Sequence, residues 1–241
     1  MVSLHAWLLA SCVMWFASPD AITASNDNEI STGTWIGKTG DTINLLLLQD
    51  EYMTFTRYDV KNKKFYFAKG GGYSFEGNTL VVRCEFSSAD NSEVGKELKF
   101  AFERQGNKIN VRDGNETFSL ELSDSSTTPL SGCWRINGRM QNGKLSEMPL
   151  RSRRTLKILT GTHFQWMAIN IATREFSGCG GGRYEFINGK YTEHIDYFSR
   201  DSSRVGMSLS FNGEVKNGIW NHSGTSSKGD PVHETWTLYH P

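Results

Sequence analysis

The sequence predicts an all-β protein made of two tandem antiparallel β-barrels of about eight strands each. Three observations carry this. Turn signals recur every 8 to 12 residues, the rhythm of a sandwich or barrel. No stretch keeps a helical period, and the 24 glycines, 5 prolines and many aromatic residues suit strands and tight turns. Finally, the chain repeats itself. With Gly70 set over Gly181 the two copies run without a gap to Gly95 and Gly206, sharing Tyr73/Tyr184, Phe75/Phe186, Asp90/Asp201 and Val94/Val205.

The strands follow in order. The first copy offers TGTWIGK (32–38), TINLLLLQ (42–49), YMTFTRYDV (52–60), KFYFAKGGGYSFEG (64–77), TLVVRCEFSS (79–88), KELKFAFER (96–104), KINVRDG (108–114) and TFSLELSD (117–124). The second offers SGCWRING (131–138), RRTLKILT (153–160), HFQWMAIN (163–170), EFSGCGGGRYEFING (175–189), KYTEHIDYFS (190–199), VGMSLSFNGEV (205–215), GIWNHSG (218–224) and VHETWTLYHP (232–241). Each run is short, rich in β-branched or aromatic residues, and bounded by Gly, Asn, Asp or Ser. Closing eight antiparallel strands on themselves removes the exposed edges of an open sheet. The resulting barrel is just wide enough to be filled by side chains or to hold one small ligand.

Four segments are expected along the chain: a leader at 1–24, a first domain at 31–122, a polar linker at 123–129 (SDSSTTP) and a second domain at 130–241. The leader has an apolar run of about a dozen residues, too short to span a bilayer and placed as a cleaved secretory signal. An exported protein, periplasmic or secreted, is therefore expected. LASC (9–12) offers the alternative of lipid anchoring at Cys12, but apolar residues continue past it and favour cleavage further on. No other segment is apolar for long enough to cross a membrane as a helix. The 26 basic and 26 acidic side chains cancel, so no global field draws in nucleic acid. Cys84, Cys133 and Cys179 show no metal-finger spacing; a Cys133–Cys179 disulfide and three buried small side chains are both open readings.

GTW near a domain start, THFQW, GGGRYEF, GKYTEHIDYFSRDSSRVG and WNHSGTSSKGDPVHETW resemble the secreted bacterial lipocalin-like, calycin-type domain proteins. The resemblance covers nearly all of the second copy and, more faintly, the first. It implies a calycin-type barrel with a cavity at one mouth, and it leaves the ligand open. Related barrels include cyclases, isomerases and dehydratases.

Strand alternation puts Tyr191, Glu193, Ile195 and Tyr197 on one face, over Leu80, Val82, Cys84 and Phe86 of the first copy. An apolar alternating face is a core face, so Glu193 is expected to point into the barrel where the first copy buries Val82. Burial without donors raises a carboxyl toward neutrality and suits it to acid or base work, whereas an Arg or Tyr partner would make it a structural anchor. All five histidines outside the leader lie in the second copy, as do four of the five tryptophans. His163 and His222 are the expected partners of Glu193. Tyr184, Tyr191, Trp166, Trp220, Tyr197 and Glu234 complete the expected ligand-binding set, with His194 facing out. Zinc ligation by His163, His222 and Glu193 lacks any HxH or HExxH spacing, so no metal and no cofactor is expected.

GCGGGR leads into a strand and reads as a bend or bulge, not a phosphate loop. GTSSKGDP reads as a polar loop at the mouth. RSRR (151–154) reads as a solvated edge, with contact to an acidic glycan as the alternative. The leading functional reading is a binder of a small-molecule or oligosaccharide ligand in the second barrel, of unassigned oligomeric state, with the first barrel a degenerate copy. The alternatives are a dehydratase, lyase or isomerase on a sugar acid or oligosaccharide, using Glu193 and a His, and a surface interaction module.

Overall fold

The structure, a computed structural model, describes residues 30–141, 143–226 and 228–241. The expected leader, with Cys12, lies outside the described residues. The first copy forms β1 (Gly33–Thr39), β2 (Thr42–Gln49), β3 (Tyr52–Asp59), β4 (Lys64–Glu76), β5 (Thr79–Ser87), β6 (Glu97–Gln105), β7 (Lys108–Asp113) and β8 (Glu116–Asp124). Each pairs antiparallel with the next, and β1 pairs with β8 to close the barrel.

The second copy forms β9 (Gly132–Gln141), β10 (Lys144–Glu147), β11 (Arg153–Leu159), β12 (His163–Asn170), β13 (Glu175–Ile187), β14 (Lys190–Phe198), β15 (Ser208–Lys216), β16 (Ile219–Thr225) and β17 (Pro231–Leu238). Here β17 closes on β9. The eight-strand barrel is thus complete without β10, a short exposed strand that continues β9 as a hairpin outside it. Sequence reading missed β10 because its KLSE has neither alternation nor β-branched residues. Among the described residues no helix is long and apolar enough to cross a membrane.

An apolar core lies in each barrel and a third lies between them. The first holds Trp35, Leu46, Leu48, Leu80, Val82, Phe100, Val111, Phe118 and Leu120 among others. The second holds Trp134, Phe164, Tyr184, Tyr191, Phe211, Trp220 and Trp236. The third joins Leu45, Leu47, Tyr58 and Phe86 of the first copy to Leu156, Ile158, Met167, Ile169 and Tyr197 of the second. This interface explains the run of four leucines in β2. Leu46 and Leu48 point into the first barrel while Leu45 and Leu47 point at the second, so the strand is buried on both faces.

The interface is reciprocal. β2 meets β11, β4 meets β14, and β5 meets β13. Phe86 stacks on Phe176 at 6.0 Å between ring centroids, and their counterparts Tyr197 and Phe65 stack at 6.4 Å. Such mutual pairing is the geometry of an isologous two-fold contact, here within one chain. Buried hydrogen bonds fix its register. Thr34 and Thr160 hydroxyls lie 2.7 Å apart, Thr56 donates to Gln165 Oε1 at 2.8 Å, and Tyr239 of the second copy donates to Glu85 of the first at 2.6 Å. Cys133 and Cys179 also lie here; all three described cysteines are free and buried, so the Cys133–Cys179 disulfide is not formed.

Tyr197 departs from the simple alternation. A bulge pairs Tyr197 with Gly181 but Ile195 with Gly182, leaving Asp196 as the extra residue. Gly182 takes φ 154°, and a side chain there would meet the His194 carbonyl. Beyond the bulge the faces exchange: Tyr197 points at the first barrel and Phe198 turns inward. Tyr197 packs 4.5 Å from Tyr58 and is fully buried. Tyr197→Ala is expected to lower stability by about 3 to 5 kcal/mol. Urea unfolding should show that loss in one transition shared by both barrels, because the cavity opens in a core they share.

Candidate functional site

The two interiors differ in a patterned way. Strand registers equate Leu46 with Lys157, Val82 with Glu193 and Val111 with His222. The strand opposite extends the series, since Phe118 faces Val111 as Glu234 faces His222. All four first-copy residues belong to its apolar core. All four second-copy residues are buried: Lys157, Glu193, His222 and Glu234 are each at most 9% exposed. Four inward positions have thus exchanged hydrocarbon for an ionisable group.

The mouths differ as well. In the first barrel Lys69 projects inward and bonds Glu93 at 3.0 Å and Asp113 at 3.1 Å, an ion-pair plug over the core. The three counterparts in the second barrel are Gly180, Arg204 and Gly224. The plug is gone. A side chain at Gly180 would strike Trp166 and Phe198, whose rings, 5.2 Å apart, form the wall there. Asp201 caps the 3₁₀ turn Ser202–Arg204 as Asp90 caps Asn91–Glu93, so the shared Asp and Val-Gly keep the loop shape while Glu93 becomes Arg204.

The result is a cavity of about 270 Å³ in the second barrel, against about 20 Å³ in the first. Trp166, Phe198 and Phe211 give it an aromatic side, Lys157, Glu193, His222 and Glu234 a polar floor, and Arg204 and Ser226 a polar rim. Ser226 stands at this rim, its Oγ accepting from the backbone of Lys228 and Asp230.

Electrostatics on the floor are specific. Lys157 Nζ donates to Glu193 Oε1 at 2.8 Å. The ammonium also lies 5.2 to 5.8 Å from the ring centroids of Phe164, Tyr191, Trp220 and Trp236, so π faces replace part of its lost hydration. The Tyr191 hydroxyl forms no well-aligned hydrogen bond, and burial together with the Glu193 charge pushes its phenol well above the usual range. Burial would raise the Glu234 carboxyl, but His222, Arg139 and Lys157 outweigh it and hold the group at about 2. Arg139 donates to Glu234 Oε1 at 2.6 Å. His222 Nδ1 stands 3.6 Å from Glu234 Oε2, and neither ring nitrogen makes a hydrogen bond among the described residues. Burial lowers the His222 pKa, leaving a neutral imidazole at pH 7 with one donor and one acceptor unspent.

Of the residues expected from sequence, Glu193, His222, Glu234 and Trp166 meet in the cavity. Tyr191 and Trp220 lie beneath it around Lys157. Tyr184 is inside the barrel, but its hydroxyl is spent on Thr128 and the Thr160 carbonyl at the closed end. His163 and Tyr197 are elsewhere. His163 shares the outer face of β12 with Gln165, Met167 and Ile169, the face turned to the first barrel, and its Nδ1 lies 2.9 Å from the Thr162 hydroxyl. The expected partnership of His163 with Glu193 is therefore replaced by that of Lys157. His194 faces out beside Ser208, and His233 is exposed while Glu234 is buried. Among the described residues no three His, Cys, Asp or Glu side chains converge to hold a metal ion. Comparison with protein-family models and with curated proteins finds no match for the chain.

Proposed function

We propose that the chain is an exported, lipocalin-like binding protein whose second barrel receives one small ligand, with the first barrel as its structural partner. The observation that carries this reading is the buried imidazole of His222, which lies beside Glu234 but makes no hydrogen bond among the described residues and faces an unplugged cavity, where the first copy has Val111 beneath a closed mouth. Leaving such polar groups unpaired in a protein interior costs stability, and a ligand that satisfies them recovers it. The cavity has the volume of about nine waters at about 30 Å³ each, the scale of a monosaccharide or a substituted aromatic ring. Hydroxyl or amine donors on the ligand suit Glu193 and His222, and its apolar face suits Trp166 and Phe211.

Saturation-transfer NMR against hexoses, hexuronic acids and hydroxylated aromatic compounds tests the reading. At least one class is expected to receive saturation from the wild type and none from Leu209→Trp, which fills the cavity. His222→Val, the first-copy residue, should weaken the affinity by about tenfold or more. Silence across the panel, or undiminished transfer in Leu209→Trp, would overturn it.

A second reading is supported by the pairing of a neutral His222 with Glu234 opposite Glu193: acid and base for a dehydratase, lyase or isomerase acting on a sugar acid. Turnover of a bound hexuronate, abolished in Glu193→Gln with binding retained, would favour it over simple binding.

A further inference from the structure

We infer that a second site, outside the barrel, binds an acidic oligosaccharide in a groove between β9, the β10 hairpin and the start of β11. The groove encloses about 480 Å³ and is lined by Arg135, Arg139, Arg151, Arg153 and Arg154, with Glu147 the one carboxylate in its lining. RSRR supplies three of these arginines, and the β9 strand brings the other two to them.

Part of this charge is not answered by the protein. Arg139 is paired with Glu234, and Arg154 donates to the Tyr239 hydroxyl and lies 3.8 Å from Glu85. Arg135 Nη1 is held by the carbonyls of Ile136 and Met148 at 2.8 and 2.7 Å, which ties the hairpin's return to the barrel. Burial and the neighbouring Arg154 lower its pKa, a sign that positive charges crowd there. The Arg151 and Arg153 side chains are exposed and make no hydrogen bond or ion pair among the described residues. In a chain with equal numbers of acidic and basic residues, this concentration is one of position.

The shape selects among anions. Arg151, Arg153 and Arg154 follow one another into β11 and share one lining with Arg135, so the groove offers several cations and suits a chain bearing successive carboxylates or sulfates. Guanidinium forks match both groups bidentately. Thr155 and Ser177 in the lining add hydroxyls suited to a polyhydroxylated chain. A flat bilayer cannot enter a concave groove, and no Phe, Tyr or Trp lines it to stack nucleobases.

Isothermal titration at low salt with an oligogalacturonate and with a sulfated oligosaccharide, each beside poly-glutamate, single-stranded DNA and anionic vesicles, tests the inference. At least one oligosaccharide is expected to bind more tightly than all three comparison probes. Arg151→Ser with Arg153→Ser should weaken it by at least about tenfold. Leu209→Trp, inside the barrel, should leave it unchanged, which separates this site from the cavity. The inference fails if neither oligosaccharide binds, if the double variant binds like the wild type, or if a comparison probe binds as tightly.

Discussion

Lys157→Leu alone is expected to destabilise the chain by about 3 to 5 kcal/mol, the usual cost of stranding one member of a buried ion pair. The ammonium is the hydrogen-bonding partner of Glu193 and the centre of four aromatic rings. Removing it leaves a carboxylate that must take up a proton or remain charged in a hydrocarbon setting. Adding Glu193→Val, so that both positions carry the first-copy residues, should recover the loss or stabilise beyond wild type by about 1 to 4 kcal/mol, because a desolvated pair seldom outperforms matched hydrocarbon. Urea midpoints of the two variants decide. A neutral Lys157→Leu would mean that Glu193 draws its solvation from the cavity and not from the ammonium.

The second large effect is on acid stability. Burial holds the His163 pKa down to about 4, with Asp196, Arg183 and Asp124 modifying it, against an unfolded value near 6.5. The folded chain therefore binds this proton less readily than the unfolded one. The stability contributed is whole above about pH 6.5 and is lost as the pH falls toward 4, amounting to about 3 kcal/mol. His222, also lowered by burial, acts in the same direction. Glu234 acts lower down: its depressed carboxyl contributes above the ordinary carboxylate range, and that contribution drains as the pH falls toward about 2. Denaturant midpoints measured from pH 7.5 to 4 should fall steeply for the wild type and more gently for His163→Gln. Equal slopes would sink this assignment.

The strand rhythm and the internal repeat were enough to read two eight-strand barrels, because closure follows from strand count and the lack of free edges. The inward turn of Glu193 was readable for the same reason: its counterpart Val82 sits in an apolar alternation. Lys157 carried a comparable signal. Running the ungapped match back from Gly70 sets Lys157 over Leu46, a cation over a core leucine, just as Glu193 stands over Val82. His163 and Tyr197 were misplaced for two different reasons. Alternation tells which residues share a face but not which face a neighbouring barrel covers, and β12 is buried on both sides. For Tyr197 the alternation itself breaks, at a bulge that a period of two cannot represent. The opened mouth was hidden for a third reason. Lys69, Glu93 and Asp113 are scattered in sequence, and their convergence exists only once the barrel has closed.

The reciprocal contact between the barrels bears on how one chain came to hold a solid barrel beside a hollow one. Were the halves separate identical molecules, every substitution that hollowed one would appear in its mate, and both would carry the cost of buried charge together. Joining them end to end lifts that restriction. Each half keeps a companion at a fixed, dilution-proof concentration, yet the two can change independently, so one remains a rigid buttress while the other trades filling for vacancy.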